Sequence, residues 1–140
     1  MPVASPVAFL LRSLRPVLAA GVVAGLLVAS AAAAAVQRQT SQPFQGAKAN
    51  TGSVTFIKDG GRRMLELSAD FVVPDTPDPH WRVVASNGDV YLLDRLPLKG
   101  DRVSTKIELP AYVKDVAKVE IWCAWAEAVL GEASFVTVQK

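Results

Sequence analysis

Two glycine-bearing turns, each set between runs of alternating apolar and polar residues, restrict this chain more than any other feature. Asp59-Gly60-Gly61 separates residues 53–58 (Ser-Val-Thr-Phe-Ile-Lys) from residues 62–68 (Arg-Arg-Met-Leu-Glu-Leu-Ser). Asn87-Gly88-Asp89 does the same between residues 81–86 and 90–94. Tight hairpins need backbone angles that glycine reaches without a Cβ clash, and their twist matches that of two antiparallel strands. Leu65 and Leu67 alternate with Glu66 and Ser68, the pattern of a strand with one face buried. The chain is therefore read as β from Gly46 onward.

The remaining strands follow from the same period. Val103, Thr105, Ile107 and Leu109 alternate with Ser104, Lys106 and Glu108, and Lys99-Gly100-Asp101 supplies the turn before them. Residues 118–125 and 132–138 are two more extended runs, with Gly131 read as the bend between them. Phe71-Val72-Val73 is a short extended piece, and Pro74, Pro77 and Pro79 make 74–79 a loop, because proline cannot continue a ladder. Residues 110–115 form a loop or a single helical turn. Short strands divided by turns at near-regular spacing predict an all-β fold, a small antiparallel β-sandwich or barrel. About 95 residues suffice for one such core.

Ahead of this domain the character of the chain changes. Residues 16–36 carry no charge, Arg12 and Arg15 precede them, and the leader has no acidic residue. A basic start, an apolar stretch and small residues at Ala33 and Ala35 form a secretory signal. The run also reaches the ~20 residues that span a bilayer as a helix. Two outcomes stay open: cleavage near Ala35, or retention as an N-terminal hydrophobic helix with Arg12 and Arg15 on the cytoplasmic side. Either way the domain is expected outside the cytoplasm, periplasmic, secreted or membrane-anchored. No Cys stands just after the run, so a lipid-modified cysteine is excluded. The expected organisation is residues 1–36 as signal or anchor, 37–45 as a polar linker, and 46–140 as the β domain.

Charge narrows the partners. The formal net charge of +2 resides in Arg12 and Arg15, and the remaining 13 Lys and Arg balance 13 Asp and Glu. A neutral domain with interspersed signs lacks the basic footprint of a nucleic-acid binder.

Few chemistries can be assembled from the remaining residues. With one His and one Cys, neither a blue-copper set nor a structural zinc site can be built, and no metal ligands are assigned. The chain has no Cys-x-x-Cys-His, no phosphate-binding glycine loop and no Gly-x-Ser-x-Gly elbow. His80, with Met64, could in principle ligate a haem; after a proline-rich loop it is read more simply as a surface or capping residue.

The concentrated signal is Ile121-Trp122-Cys123-Ala124-Trp125. On a strand Val119, Ile121, Cys123 and Trp125 share one face, and Glu120, Trp122 and Ala124 the other. The first face is wholly apolar and is read as the core face, with Glu120 and Glu66 as surface residues. Cys123 is then a small buried hydrophobe. An unpaired Cys in an exported chain is otherwise a thiol for another molecule or a reactive group. Trp122 either packs under a loop or forms a contact surface.

In order along the chain, these motifs resemble the DM-thirteen domain, an extracytoplasmic module often found beside DOMON domains. Phe44-Gln45-Gly46 opens the resemblance, and residues 51–56 resemble its first strand. Leu65-Glu66-Leu67 with Asp70-Phe71 resembles the second, and Pro77-Asp78 the Pro-Asp pair before the third. Leu98-Lys99-Gly100 and Leu109-Pro110 follow, then Ile121-Trp122-Cys123, Gly131 and Ala133. The resemblance spans roughly 90 residues of domain size. It departs from the family pattern at Ala126, Leu130 and Ile107, where aromatic residues are usual.

The resemblance implies a β-sandwich and a role in extracytoplasmic electron transfer, with Cys123 as the redox thiol or a holder of a prosthetic group. Trp122, Trp125 and His80 are the accompanying cofactor-binding candidates, the cofactor itself being unnamed. The implied partner is a redox protein, and no stand-alone enzyme activity is indicated. The competing expectation is a non-catalytic binding or adhesion domain in which Cys123 belongs only to the core.

Overall fold

A computed structural model of the protein describes residues 33–96 and 105–140. The apolar run up to residue 32, the turn at 99–101 and the strand positions 103–104 lie outside the described residues. The rest is all-β. Strand β1 is Gln37–Thr40, β2 Val54–Asp59, β3 Arg62–Leu67, β4 Pro79–Val84, β5 Val90–Arg95, β6 Lys106–Glu108, β7 Val116–Cys123 and β8 Ala128–Gln139. Among the described residues there is no helix.

The strands form two four-stranded sheets, in the orders β1-β2-β3-β6 and β5-β4-β7-β8, and every pairing is antiparallel. The two expected hairpins are both present. Asp59 pairs with Arg62 across Gly60 and Gly61, and Gly60 takes a φ of 56°. At the second hairpin Gly88 takes a φ of 90°, the Ala85 amide donates to the Asp89 carbonyl, and the Asn87 side chain accepts from the Asp89 amide. Left-handed φ at the glycines is what these turn sequences supply.

One core lies between the sheets. Val54, Phe56, Leu65, Leu67 and Ile107 from the first sheet meet Trp81, Val83, Val119, Ile121, Phe135 and Cys123 from the second. Facing apolar sheets are how a β-sandwich removes its hydrophobic faces from water. The alternation is strict in β4, where Pro79, Trp81 and Val83 are buried and His80, Arg82 and Val84 are partly exposed. Pro79 is the first residue of β4, a strand position proline tolerates, so the proline-rich loop ends one residue earlier than its composition indicates.

Three expectations are corrected. The polar linker expected at 37–45 is part of the fold: β1 pairs residue by residue with β2, and Phe44 is 2% exposed against the Phe71 ring. All four β1 side chains are exposed, so this edge strand has no apolar face to announce it. Gly131 is not at a bend but inside β8, opposite Ile121. The reversal between β7 and β8 falls instead at residues 124–127, where Glu127 takes a φ of 51°. Trp125 accordingly leaves the core face: β7 ends at Cys123, alternation stops there, and the Trp125 side chain is 76% exposed on the turn.

After β1 the chain crosses from one sheet to the other. The Ser41 amide donates to Val54, Gln42 to Ser134, Gln45 to Glu132, and Lys48 and Ala49 both to Leu130. This strap covers the outer edge of β8 from Leu130 to Ser134. It lies so close that a Cβ built on Gly131 would stand 1.9 Å from the Ala49 carbonyl oxygen. A Cβ on Gly46 would stand 2.3 Å from the Gly131 Cα. Glycine at both positions is the condition for this backbone-on-backbone contact.

Candidate functional site

The four residues singled out from sequence gather at one end of the second sheet, but on different sides of it. Cys123 pairs with Pro79 on the inner face and is 1% exposed, within the core cluster. His80 pairs with Trp122 on the outer face. Trp125 stands beyond the strand on the turn, which the Ala124 amide ties back to the Asp78 carbonyl at 2.9 Å. Cys123 and the three other side chains therefore do not converge on one point. Among the described residues no three His, Cys, Asp or Glu side chains are placed to hold a metal ion.

His80 is already engaged through both ring nitrogens. Its Nδ1 lies 3.1 Å from the Leu93 carbonyl oxygen and its Nε2 3.0 Å from Asp78 Oδ1. The same Asp78 oxygen receives Arg95 Nε at 3.0 Å. A ligand at His80 would have to displace one of these contacts, so the ring fastens the end of β4 to β5 and the preceding loop.

The outer face of β4 and β7 carries a charged network that the sequence reading did not assemble. Arg82 and Glu120 are direct cross-strand partners, and Arg82 Nε donates to Glu120 Oε2 at 2.6 Å. The Arg82 guanidinium carbon also lies 3.6 Å from the centre of the Trp122 ring, a cation–π stack. Trp122 is thus covered by Arg82 rather than by a loop. Glu120 pairs across the other side with Glu132, an unfavourable arrangement of like charges. Lys118 resolves it by bridging both carboxylates, at 3.1 Å to Glu120 and 2.7 Å to Glu132.

Glu120 is consequently 4% exposed, which corrects its reading as a surface residue. Its nearest partner is 38 residues away in sequence, and only the β4–β7 register brings the two together. Once that register is known, charges at Arg82, Lys118, Glu120 and Glu132 on one face are the signal that identifies the network.

The hydrogen bond from Lys118 to Glu132, offset partly by desolvation, raises the lysine above its ordinary value of 10.5. The sign follows from linkage: a raised folded-state value contributes stability that is fully present below the unfolded value and lost as pH rises through the folded one. The advantage of the native protein over Lys118→Met is therefore expected to hold below the ordinary lysine value of 10.5 and to shrink as the pH rises above it. Urea melts across that range check it, and an advantage that grows with pH would contradict the bridge.

In comparisons with known proteins, no family model, no curated protein and no solved structure matches this chain.

Proposed function

We propose that the chain is an exported or membrane-anchored module of the DM-thirteen type that acts by binding a partner protein, with Cys123 serving its core. The direction of the thiol carries this reading. Cys123 is 1% exposed, on the inner face of β7, with Val119 and Ile121 beside it on the same face. A thiol enclosed by apolar neighbours behaves as a small hydrophobe, and its exchange with a partner requires the sheet end to open. Export is supported by the uncharged run at 16–36 behind Arg12 and Arg15.

The electron-transfer reading rests on one further observation. Cys123 is the last residue of β7, and the turn after it holds Glu127 at a φ uncommon for a residue with a side chain. Exposure of the thiol would require the end of β7 to part from Pro79 and Ala128, its neighbours on β4 and β8.

The two readings differ in the visible spectrum of the full chain and in the effect of Cys123→Ala. The binding reading expects a colourless protein, and a variant destabilised by about 1 kcal/mol with its spectrum unchanged. A visible band in the native protein that disappears in a folded Cys123→Ala variant would establish the redox reading instead.

A further inference from the structure

On the β1–β8 side the two sheets approach each other without sharing a ladder. Both strands are at sheet edges. The strap at 42–49 covers β8 as far as Ser134, through the bonds of Gln42, Gln45, Lys48 and Ala49. Beyond that point β8 runs on past the strap. Val136 is 75% exposed, Val138 is 41% exposed, and the next β7 partner is Gln139 opposite Val116. Between this length of β8 and β1 lies an open cleft of about 520 Å³, with Phe56 among its lining residues.

Exposed strand edges present unpaired backbone donors and acceptors and are templates for another strand. Natural edges are protected by covering, by bulges or by charge. Among the described residues the cover stops short, and the charge has one sign: Arg38, Lys58 and Lys140 line the cleft, and no described Asp or Glu side chain does. Arg38 is partly used by Glu66 at 3.7 Å, and Lys140 also acts on Asp115, whose carboxyl is held below its ordinary value chiefly by the Ser86 amide. Lys58 has no ion pair among the described residues.

We infer that this cleft is a strand-addition site for an extended peptide segment carrying carboxylates, taken from a partner protein. Pairing along β1 supplies affinity through the backbone, in the manner of β-augmentation. Lys58, which shares a face with Phe56 and points away from Arg38, and Lys140 select acidic side chains at alternate positions, since alternate residues of a strand point the same way. The four residues of β1 set the length read at about 13 Å. The site rests on the reading of the chain as a binding module and names where and what it binds.

The test uses the full chain and an acetylated, amidated octapeptide alternating Glu and Val, followed by fluorescence anisotropy and by amide-proton protection. Two controls accompany it: the matching Lys-Val octapeptide, and the Glu-Val peptide with alternate backbone nitrogens methylated. The Glu-Val peptide is expected to bind at least about tenfold tighter than either control, and less tightly as salt rises. Protection should appear at β1 and at residues 136–139. The double variant Lys58→Glu/Lys140→Glu changes exposed or half-exposed positions and should fold normally while reversing the preference between the two peptides.

Equal affinity for both charges, no binding, or protection along β5 instead would overturn the proposal. So would self-association of the chain through β1 in the absence of peptide, which would make a second copy the occupant. Loss of the cleft with Cys123 still shielded in the native protein removes this site alone. A native thiol that exchanges freely removes the binding reading, whatever the peptide does.

Discussion

Gly131→Ala is expected to destabilise the domain by at least about 3 kcal/mol, the upper end of what overpacking a core costs. A single methyl group is added, yet it has no room. Its carbon would stand 1.9 Å from the Ala49 carbonyl oxygen, and 2.8 Å from the carbon of the same carbonyl. These are backbone atoms, so no rotamer change relieves the contact. The strap would have to leave β8, giving up the bonds from Lys48 and Ala49 to Leu130. Gly60→Ala makes the contrast, since nothing lies within 4 Å of a Cβ there and only its φ of 56° opposes the change. Denaturant melts should rank Gly131→Ala well below Gly60→Ala in stability; similar losses would mean that the strap is not packed as described.

The second large effect separates the two faces of β7. Ile121→Ala removes a side chain that is 0% exposed at the centre of the core, and should cost about 3–5 kcal/mol. Its neighbour Glu120 faces the other way, yet Glu120→Ala should cost about 2–3 kcal/mol, below the full cost of breaking a buried pair. The reduction reflects its partners, since the Arg82 side chain is 17% and Lys118 31% exposed and both can recover some hydration. Glu66→Ala removes a carboxylate that is 36% exposed, with Arg38 at 3.7 Å and Lys106 at 3.5 Å, and should cost less than about 0.5 kcal/mol. Equilibrium unfolding of the three variants checks the order. If Glu120→Ala behaved like Glu66→Ala, the Arg82–Glu120–Lys118 network would have no energetic content.

The contrast between Glu120 and Glu66 shows where sequence reading stops. Both alternate with apolar neighbours on a strand, so local pattern assigns both to the surface. What distinguishes them is the partner strand: Glu66 lies opposite Thr55 and Lys106, whereas Glu120 lies between Arg82 and Glu132 and is bridged by Lys118. The hairpins at Gly60 and Gly88 were legible because their information is local, in the two or three residues that turn the chain. The core positions Leu65, Ile107 and Ile121 were legible because the period of the strand is two.

Other features depend on contacts far along the chain. β1 has four exposed polar side chains and owes its strand conformation to pairing with β2, so its composition reads as a linker. Gly131 resembles a bend residue until Ala49 is brought against it. Trp125 follows the alternation of β7 on paper, but the strand ends two residues earlier. Within the candidate site, the inward direction of Cys123 and the outward direction of Trp122 were legible from period alone. The stacking of Arg82 on Trp122 and the contact of His80 with the Leu93 carbonyl were not, because each joins residues on separate strands.

The proposed binding function requires that Cys123 belong to the core. The chain contains a single cysteine, so the reaction of the native full-length protein with an aromatic disulfide reagent reports on that thiol alone. Labelling is expected to be at least about a thousandfold slower than for the unfolded chain, which corresponds to about 4 kcal/mol of opening free energy, close to the lower range of domain stabilities. The rate should also rise in parallel with unfolding as denaturant is added. Labelling of the native protein at nearly the unfolded rate would contradict the account and make Cys123 an accessible redox thiol.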